Sequence, residues 1–238
     1  KETGKIDGNQ FIVKTIVTTD LLDKIAASYH VDCPNTLTGF KYIAMLIREN
    51  EGKKKFIIGG EESYGYLVSD FVRDKDAIAS CAVIAEMTAW ARDQGKTLFD
   101  LLTEIYLEYG FYKEHLISIT RKGAKGADEI NEMMTRFRND PPASLGGSQV
   151  VRLRDYKNGT EKDLISGSSK TIDFPSSNVL QFFTEDGSKI SARPSGTEPK
   201  IKFYFSVNTQ LPSAAEFDTT DAKLGKRIEG ILNDLGVN

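Results

Sequence analysis

The chain has 238 residues, enough for one large domain or two of ordinary size. Hydrophobic residues make up 39% and charged residues 27%, so the chain can build folded cores and does not have the composition of a disordered protein. Its 31 lysines and arginines against 34 aspartates and glutamates give a formal net charge of −3, which argues against a dedicated nucleic-acid-binding protein.

Cysteine and histidine are scarce. The two cysteines, Cys33 and Cys81, are too few for a disulfide scaffold, and with two histidines, His30 and His115, the sequence does not indicate a zinc site. The apolar stretch 77–85 is far shorter than the roughly 20 residues that span a bilayer. The start of the chain lacks the pattern of a secretory signal. We therefore expect a cytoplasmic protein in a reducing compartment, without a membrane partner.

The first half of the chain alternates between strand and helix patterns. The predicted elements are a strand over residues 11–18, a helix over 21–30 with Asp20 as its N-cap, a second helix that follows Thr38-Gly39 and can end at Gly52, and a strand over 56–58. Strand, helix and strand in this order are typical of an α/β layer. In such sheets ligands gather at the carboxyl ends of the strands, which is where residues 59–65 are expected.

Two more helices complete this half. The first, over residues 77–94, starts after Asp76 as a possible N-cap and is apolar on nearly all sides, which predicts a helix buried in the core. The second, over residues 98–109, can be capped by Thr97 together with Asp100.

After about residue 113 the pattern becomes that of an α+β domain with an antiparallel sheet. The predicted elements are strands over 115–120, 149–154, 179–184, 188–192 and 201–206, and helices over 128–138 and 221–235. The dipeptide Asp186-Gly187 between two strands is a strong hairpin signal. The sequence therefore predicts two domains, residues 1–113 and 114–238.

A basic segment, residues 193–200, lies between two predicted strands. Arg193 offers a planar fork of donors that matches phosphate oxygens. Ser195 and Thr197 add hydroxyl donors, and Gly196 allows the backbone to approach an anion closely. The local net charge is +3, from Lys189, Arg193, Lys200 and Lys202 against Glu198. The segment indicates a phosphate-binding loop, with an ordinary polar β-turn as the alternative.

An acidic segment, residues 60–76, has the opposite character. Its five acids and two bases give a net charge of −3. Carboxylates such as Glu61 and Glu62 can accept hydrogen bonds from neighbouring sugar hydroxyls, and Ser63 can both donate and accept. Helix capping, a Mg²⁺ site and a solvated surface loop are alternatives. An acidic polyol grip and a basic phosphate grip in one chain favour a sugar phosphate as ligand.

Four segments carry a resemblance to a known family. Gly60-Glu61-Glu62-Ser63-Tyr64-Gly65 resembles the sugar-binding loop of the α-D-phosphohexomutase superfamily, and Arg193-Pro194-Ser195-Gly196-Thr197-Glu198-Pro199-Lys200 resembles its phosphate-binding loop. Thr38-Gly39-Phe40-Lys41 is similar to the segment whose lysine reaches the active cleft, and Arg73-Asp74-Lys75-Asp76 fits the pattern after the sugar loop. The resemblance spans nearly the whole chain.

The resemblance implies a fold and a place in a larger enzyme. Residues 1–113 would be the third domain of a phosphohexomutase, an α/β domain with a mixed sheet that lacks its beginning. Residues 114–238 would be the fourth, an α+β domain similar to the TATA-binding protein. The phosphoserine loop and the Asp-x-Asp-x-Asp loop for Mg²⁺ are absent from this sequence, so the chain would be the C-terminal half of a bacterial phosphoglucomutase/phosphomannomutase, with the missing N-terminal domains as its partners.

The resemblance also implies roles for single residues. The enzyme would interconvert glucose 1-phosphate and glucose 6-phosphate through a phosphoserine and a bisphosphorylated sugar, with Mg²⁺ and with glucose 1,6-bisphosphate as activator or intermediate. Glu61 and Ser63 would hold ring hydroxyls, and Lys41 would offset charge near the transferred phosphate, unless it is an ordinary surface lysine. The residues that would bind phosphate are Arg193, Ser195, Gly196, Thr197 and Lys200, of which Lys200 could instead simply begin the next strand.

The preferred sugar is less sharply indicated. Bifunctional mannose-type members often carry Gly-His after the serine of the sugar loop, where this chain has Tyr64-Gly65. The pattern therefore favours glucose phosphates as substrates over mannose or pentose phosphates. A protein of another class, a stand-alone phosphosugar-binding module that performs no transfer, is the alternative.

Overall fold

The structure is a computed structural model that describes residues 4–121 and 123–237. The chain forms two compact units, residues 1–110 and 111–238. The boundary lies slightly before the predicted one at residue 113, because the first strand of the second unit already begins at Phe111. Within the described residues, no helix combines the length and the hydrophobicity that crossing a membrane requires.

The first unit alternates strands and helices. Its elements are β1 (Gln10–Thr15), α1 (Leu21–Ser28), β2 (Asn35–Thr36), α2 (Phe40–Glu49), β3 (Lys55–Glu61), β4 (Gly65–Val68), α3 (Ala77–Asp93) and α4 (Leu98–Tyr109). The sheet order is β2-β1-β3-β4, in which β2 and β3 run parallel to β1 and β4 runs antiparallel to β3. The predicted α/β domain with a mixed sheet is thereby confirmed.

The core of this unit lies between α2 and one face of the sheet. Its buried members are Phe11, Val13, Phe40, Ile43, Ile47, Phe56 and Leu67. The three members from α2 recur at helical spacing and the two from β1 at alternate positions, so each element turns one apolar face to the other. Complete burial of such a side chain contributes about 1.5–3 kcal/mol, so this layer fixes the ends of β1, β3 and α2 relative to one another.

The predicted N-cap of α1 is wrong in its chemistry. Asp20 occupies the N-cap position, but its side chain makes no capping hydrogen bond. The Asp20 carboxylate instead lies 3.0 Å from the ammonium of Lys14, and Asp23 lies at the same distance. Lys14 is almost fully buried. Burial lowers the pKa of Lys14, but the two carboxylates outweigh that effect and the net shift is upward. Asp20 therefore pairs with the buried Lys14 ammonium and does not cap α1.

The prediction that residues 77–94 form a core helix is wrong in its burial. The helix forms and its N-cap is correct, since Asp76 accepts the N–H of Ala79 at 2.9 Å. However, only Ser80 and Ala91 are buried, and Ile78 is 85% exposed. Helix α3 packs on β4 and α4. Because its apolar residues surround the whole circumference, these neighbours leave most of them exposed.

Helix α4 begins as the sequence predicts. Thr97 accepts the N–H of Asp100, and the Asp100 carboxylate receives the N–H of Thr97 at 2.8 Å, which completes a capping box. The Thr97 N–H and then the Thr97 hydroxyl, which also donates to the carboxylate at 2.7 Å, lower the pKa of Asp100.

The second unit consists of a large antiparallel sheet with helices. Its elements are β5 (Phe111–Thr120), α5 (Ala124–Asn139), β6 (Ser144–Leu145), β7 (Ser148–Asp155), β8 (Thr160–Asp163), β9 (Ser169–Thr171), β10 (Leu180–Thr184), β11 (Lys189–Pro194), β12 (Lys200–Thr209), a 3₁₀ turn (Ala214–Glu216) and α6 (Phe217–Leu235). The sheet order is β5-β12-β11-β10-β7-β8-β9, with β6 paired to β7. This architecture confirms the predicted α+β domain.

The core of this unit lies between one sheet face and the helices α5 and α6. Its large members include Phe137, Phe182, Ile190, Phe203, Phe205, Leu224, Ile228 and Ile231. Phe137 of α5 meets Phe182 and Phe203 of the sheet edge to face, with ring centroids 5.7 and 6.3 Å apart. The predicted hairpin between β10 and β11 is confirmed, and Gly187 takes a φ of 82° in its turn. This hairpin leads directly into Arg193.

Candidate functional site

The acidic segment forms the tip of a β-hairpin. The sequence predicted a strand that ends near residue 58 and an open loop, whereas β3 continues through Glu61 and pairs with β4, with Glu61 opposite Gly65. Only residues 62–64 turn. Ser63 is exposed, and Tyr64 is 88% exposed with a φ of 64°. The hairpin therefore presents a short, sharply defined tip where the sequence suggested a loop.

Glu61 is held by the start of helix α2. Its Oε1 accepts the N–H of Gly39, the N-cap residue of α2, at 2.7 Å. The N-terminus of a helix carries partial positive charge, which stabilises a carboxylate there. The second oxygen, Oε2, lies 3.6 Å from the position that a Cβ at Gly65 would take. Glu61 is thus fixed by one oxygen.

Glu62 turns toward the end of β1. Its Oε2 lies 3.1 Å from the hydroxyl of Thr15 and 3.3 Å from that of Thr18. Both threonines are buried. The two adjacent acids consequently have different surroundings. The sequence shows them only as a pair of neighbouring carboxylates.

Lys41 lies in the first turn of α2, two residues after Gly39. Its side chain is exposed, and its ammonium lies 4.9 Å from the centre of the Tyr42 ring. The structure therefore brings Lys41 and Glu61 to the same end of α2. The surface-lysine alternative for Lys41 is consistent with its exposure.

A second cation near the hairpin was not placed there by the sequence reasoning. The ammonium of Lys75 lies 4.9 Å from the centre of the Phe40 ring, and its carbon chain approaches Gly65 so closely that a Cβ there would lie 2.6 Å from Cδ. The Arg73–Asp76 pattern was the available signal, but pattern alone does not show which of its members folds back onto the hairpin.

The basic segment forms a tight turn between β11 and β12. The N–H of Ser195 donates to the carbonyl of Lys200 at 2.7 Å. The Ser195 hydroxyl oxygen accepts the N–H groups of Thr197 and Glu198 at 3.3 and 3.2 Å. Serine thus shapes the turn through its oxygen, and its hydroxyl proton can donate to an acceptor outside.

The charged residues of this turn sit on the strands that enter and leave it. Arg193 is in β11 and pairs directly with Lys202 of β12, so the two cations neighbour each other on one face of the sheet. Lys200 is the first residue of β12, as the alternative reading allowed. Lys202 is a candidate that the sequence reasoning counted as charge but did not assign to the site.

A pocket adjoins the turn. It has a volume of about 390 Å³. It lies between the turn, residues 194–199, and the first turns of α5. Gly196 and Thr197 are exposed, and no described atom lies within 4 Å of the position a Cβ would take at Gly196. The described residues themselves therefore leave open space beside Gly196.

The described residues hold no cluster that would fit a metal. Among them, no group of three or more histidine, cysteine, aspartate or glutamate side chains could bind an ion. The Mg²⁺ expected from the resemblance is therefore not matched by a site in this part of the chain. Lys41 and the sugar-loop residues Glu61 and Ser63 lie in the first unit, and the five phosphate-loop residues lie in the second.

Comparison with known proteins adds the family. Residues 1–109 match the family described as phosphoglucomutase/phosphomannomutase, alpha/beta/alpha domain III. The chain is 37% identical over 207 residues to a phosphoglucomutase of Staphylococcus haemolyticus, covering 87% of this chain and 38% of the relative. It is 38% identical over 199 residues to a phosphoglucomutase of Staphylococcus aureus strain USA300, covering 84% and 36%. The chain thus spans somewhat more than a third of the length of these curated relatives.

Solved structures show the same fold. The chain superposes on pp63/parafusin, a phosphoglucomutase from Paramecium in its open form, with a TM-score of 0.60 at 24% identity, over 95% of this chain and 38% of that one. A phosphoglucomutase/phosphomannomutase family protein from Burkholderia thailandensis gives a TM-score of 0.53 at 16% identity, over 96% and 38%. At these identities the likeness establishes the fold alone.

An α/β unit with a mixed sheet, followed by an α+β unit with a large antiparallel sheet, is the fold that the chain shares with these phosphoglucomutase/phosphomannomutase structures. The identity to bacterial phosphoglucomutases and the match over residues 1–109 then place the chain itself: it belongs to the α-D-phosphohexomutase superfamily. Members of that family are isomerases of carbohydrate metabolism that transfer phosphate.

Proposed function

We propose that this chain supplies the substrate-binding loops of a mutase that interconverts glucose 1-phosphate and glucose 6-phosphate. The observation that carries the proposal is the turn between β11 and β12. There the cations Arg193 and Lys202 stand side by side, Ser195 keeps its hydroxyl proton for an outside acceptor, and the space at Gly196 is open. Such a set suits the phosphate that is not being transferred.

The hairpin tip suits the sugar. Glu61 is oriented by its bond to Gly39, which leaves Oε2 to accept from ring hydroxyls. Ser63 is exposed at the tip and can donate or accept. Lys41 adds a positive charge at the same end of α2, where it would offset charge on a phosphate. Holding a polyol by acceptors on a rigid hairpin orients it without any chemical step by these residues.

The transfer chemistry itself belongs to parts outside this sequence. In the proposal, a phosphoserine donates phosphate to form the bisphosphorylated sugar and then receives the other phosphate back. Mg²⁺ would neutralise charge on the transferring group. The described residues offer no site for this ion. Glucose 1,6-bisphosphate would serve as activator or intermediate, and the protein would work in the cytoplasm.

Mannose phosphates and pentose phosphates are the competing substrates. The test is kcat/KM of the complete polypeptide for glucose 1-phosphate, mannose 1-phosphate and ribose 1-phosphate, measured with coupled assays. We expect the highest value for glucose 1-phosphate and a phosphoserine detectable by mass spectrometry. A preference for ribose 1-phosphate would assign the chain to a phosphopentomutase. Binding of these sugar phosphates without any turnover would favour a phosphosugar-binding module instead.

A further inference from the structure

The two adjacent acids of the hairpin tip bind different segments of the first unit. Glu61 accepts the N–H of Gly39 at the start of α2, whereas Glu62 faces the hydroxyls of Thr15 and Thr18 at the end of β1. The three segments meet because β1 and β3 are parallel neighbours whose carboxyl ends share one edge of the sheet. Each acid thus ties the tip to a different neighbouring segment.

The Glu62 contacts form a triangle of oxygens. Thr15 Oγ1 and Thr18 Oγ1 are 2.9 Å apart, and both lie within 3.3 Å of Glu62 Oε2. Two hydroxyl protons are available for three oxygens, and an ionised carboxylate is an acceptor only. Both protons can therefore be directed to Glu62. Thr15 is fully buried and Thr18 is 9% exposed, so the hydroxyl side of these charge-assisted bonds is shielded from water, whereas Glu62 is half-buried.

The turn that follows needs an anchor. Tyr64 takes a φ of 64°, a left-handed conformation that is unfavourable for a non-glycine residue. Its ring is 88% exposed, so burial of its own side chain does not compensate. Ser63 is exposed as well. The contact of Glu62 with the buried threonines is what joins the turn to the interior of the unit.

We propose that Glu62 is a positioning residue and not a sugar ligand. Through Thr15 and Thr18 it fixes the hairpin tip, so that Glu61 and Ser63 face the ring hydroxyls. This inference rests on the proposed function for its effect on the sugar, but not for the anchor itself. Two chemically identical neighbours therefore have different roles: Glu61 binds the substrate, and Glu62 holds the hairpin tip in position.

The activity test compares variants of the complete polypeptide. Glu62→Gln and Thr18→Val should each lower kcat/KM about ten- to a hundredfold, mainly through a higher KM, because the first removes the charge that strengthens both hydroxyl bonds and the second removes one of those bonds. Thr18→Ser keeps the hydroxyl and should remain close to wild type. Glu86→Gln removes an exposed carboxylate on α3 and is the matched control. The double variant should be no worse than Glu62→Gln by more than about twofold, since both act through one contact.

Hydrogen exchange of the same proteins without substrate separates the anchor from the activity. Glu62→Gln should speed amide exchange at residues 61–65 and 16–20 and leave α6 unchanged. If the wild type proves inactive on sugar phosphates but exchange changes in this way, the proposed function fails and the anchor stands. Unchanged exchange, a Glu62→Gln variant within about twofold of wild-type kcat/KM, or additive effects of the two substitutions would overturn the positioning role.

Discussion

At the scale of single residues, local partners decide what a charged side chain does. Asp20 and Asp76 both occupy N-cap positions, yet only Asp76 caps its helix. Asp20 lies beside the buried ammonium of Lys14, and leaving that charge unpaired would cost more than an unmet backbone N–H. Glu61 and Glu62 also have different partners. Glu61 accepts a hydrogen bond from the N-terminus of α2, whereas Glu62 accepts from two buried threonine hydroxyls.

The first prediction contrasts the two binding loops in the complete polypeptide. Arg193→Ala should lower kcat/KM for glucose and mannose phosphates alike, because both carry the phosphate that arginine contacts. The loss corresponds to about 1.5–3 kcal/mol for each charge-assisted hydrogen bond. Glu61→Gln turns an acceptor into a group that also donates, so its effect should depend on hydroxyl stereochemistry and hence on the sugar.

The measurement is kcat/KM for two sugars on both variants, with thermal melts to show that folding is preserved. A sugar-dependent loss for Arg193→Ala together with a uniform loss for Glu61→Gln would reverse the assignment of the two loops.

The second prediction concerns pH and Glu161, a buried carboxylate of β8. Arg154 Nε lies 2.7 Å and Lys170 Nζ 3.0 Å from its oxygens. Burial raises the pKa of Glu161, but the bond from Arg154 and the other cations outweigh it, and the net shift is downward. A depressed folded pKa stabilises the fold fully above the unfolded pKa of about 4.3, and this contribution is lost as pH falls through the folded pKa.

Glu161→Gln should therefore lower the free energy of unfolding near pH 7 by about 1–3 kcal/mol. The difference from wild type should shrink as the pH falls from about 7 to about 3. Urea unfolding at a series of pH values measures it, with Glu185→Gln, an exposed carboxylate of the same unit, as the control. A difference that stays constant with pH would contradict the role of the Glu161 charge.

At the scale of elements, packing depends on how much of each surface its neighbours cover. Helix α2 turns Phe40, Ile43 and Ile47 to the sheet and forms the core of the first unit. Helix α3 is apolar around its whole circumference, but β4 and α4 cover little of it. Helix α6 is tied to the turn before β7, where the N–H of Gly146 donates to Asp234 at 2.7 Å.

The third prediction uses that turn. Gly146 and Gly147 have positive φ angles of 59° and 79°, so alanine at either is strained by about 1–2 kcal/mol. A Cβ at Gly146 would also lie 2.8 Å from Ile231 of α6 and 3.2 Å from the Arg227 carbonyl, whereas nothing lies within 4 Å at Gly147. Gly146→Ala should therefore destabilise the protein by about 1–3 kcal/mol more than Gly147→Ala.

Chemical denaturation of the two variants gives the difference directly, because the backbone strain is common to both. Equal losses of unfolding free energy would mean that α6 does not pack against this turn as tightly as the structure shows.

At the scale of the whole molecule, the chain carries the two loops that we propose bind the sugar phosphate, but not the motifs that we propose transfer phosphate. The sequence contains neither a Ser-His loop nor an Asp-x-Asp-x-Asp loop, and the described residues hold no metal cluster. The chain spans 36–38% of the length of the two staphylococcal phosphoglucomutases. Activity is therefore expected to require regions that these relatives have and this sequence does not.

The fourth prediction follows from that expectation. The 238-residue chain by itself should not convert glucose 1-phosphate to glucose 6-phosphate, because the phosphoserine donor is absent. A coupled assay on the purified chain, with a complete phosphoglucomutase as positive control, measures it. Conversion above the background without enzyme would show that the transfer chemistry resides in these residues after all.

Much of the fold could be predicted because its elements have strong local signals. Apolar residues at a spacing of about 3.6 residues predict α2 and α6. The Thr97–Asp100 capping box predicts the start of α4, and Asp186-Gly187 predicts the hairpin before Arg193. Strands β8 and β9 were missed because they are short and polar, with no alternation to detect. Strand β4 was missed because Gly65 and Tyr66 resemble a continuing loop.

The sequence by itself determined the two-domain α/β and α+β architecture and the candidate residues of both loops, since residue types and their order are local information. Only the tertiary structure decided that Glu61 meets Gly39, that Glu62 meets Thr15 and Thr18, and that Lys202 stands beside Arg193. These contacts join segments far apart in the chain through strand register and helix placement. Because no local pattern encodes such pairings, the acids looked equivalent in the sequence and became distinct only when the chain folded.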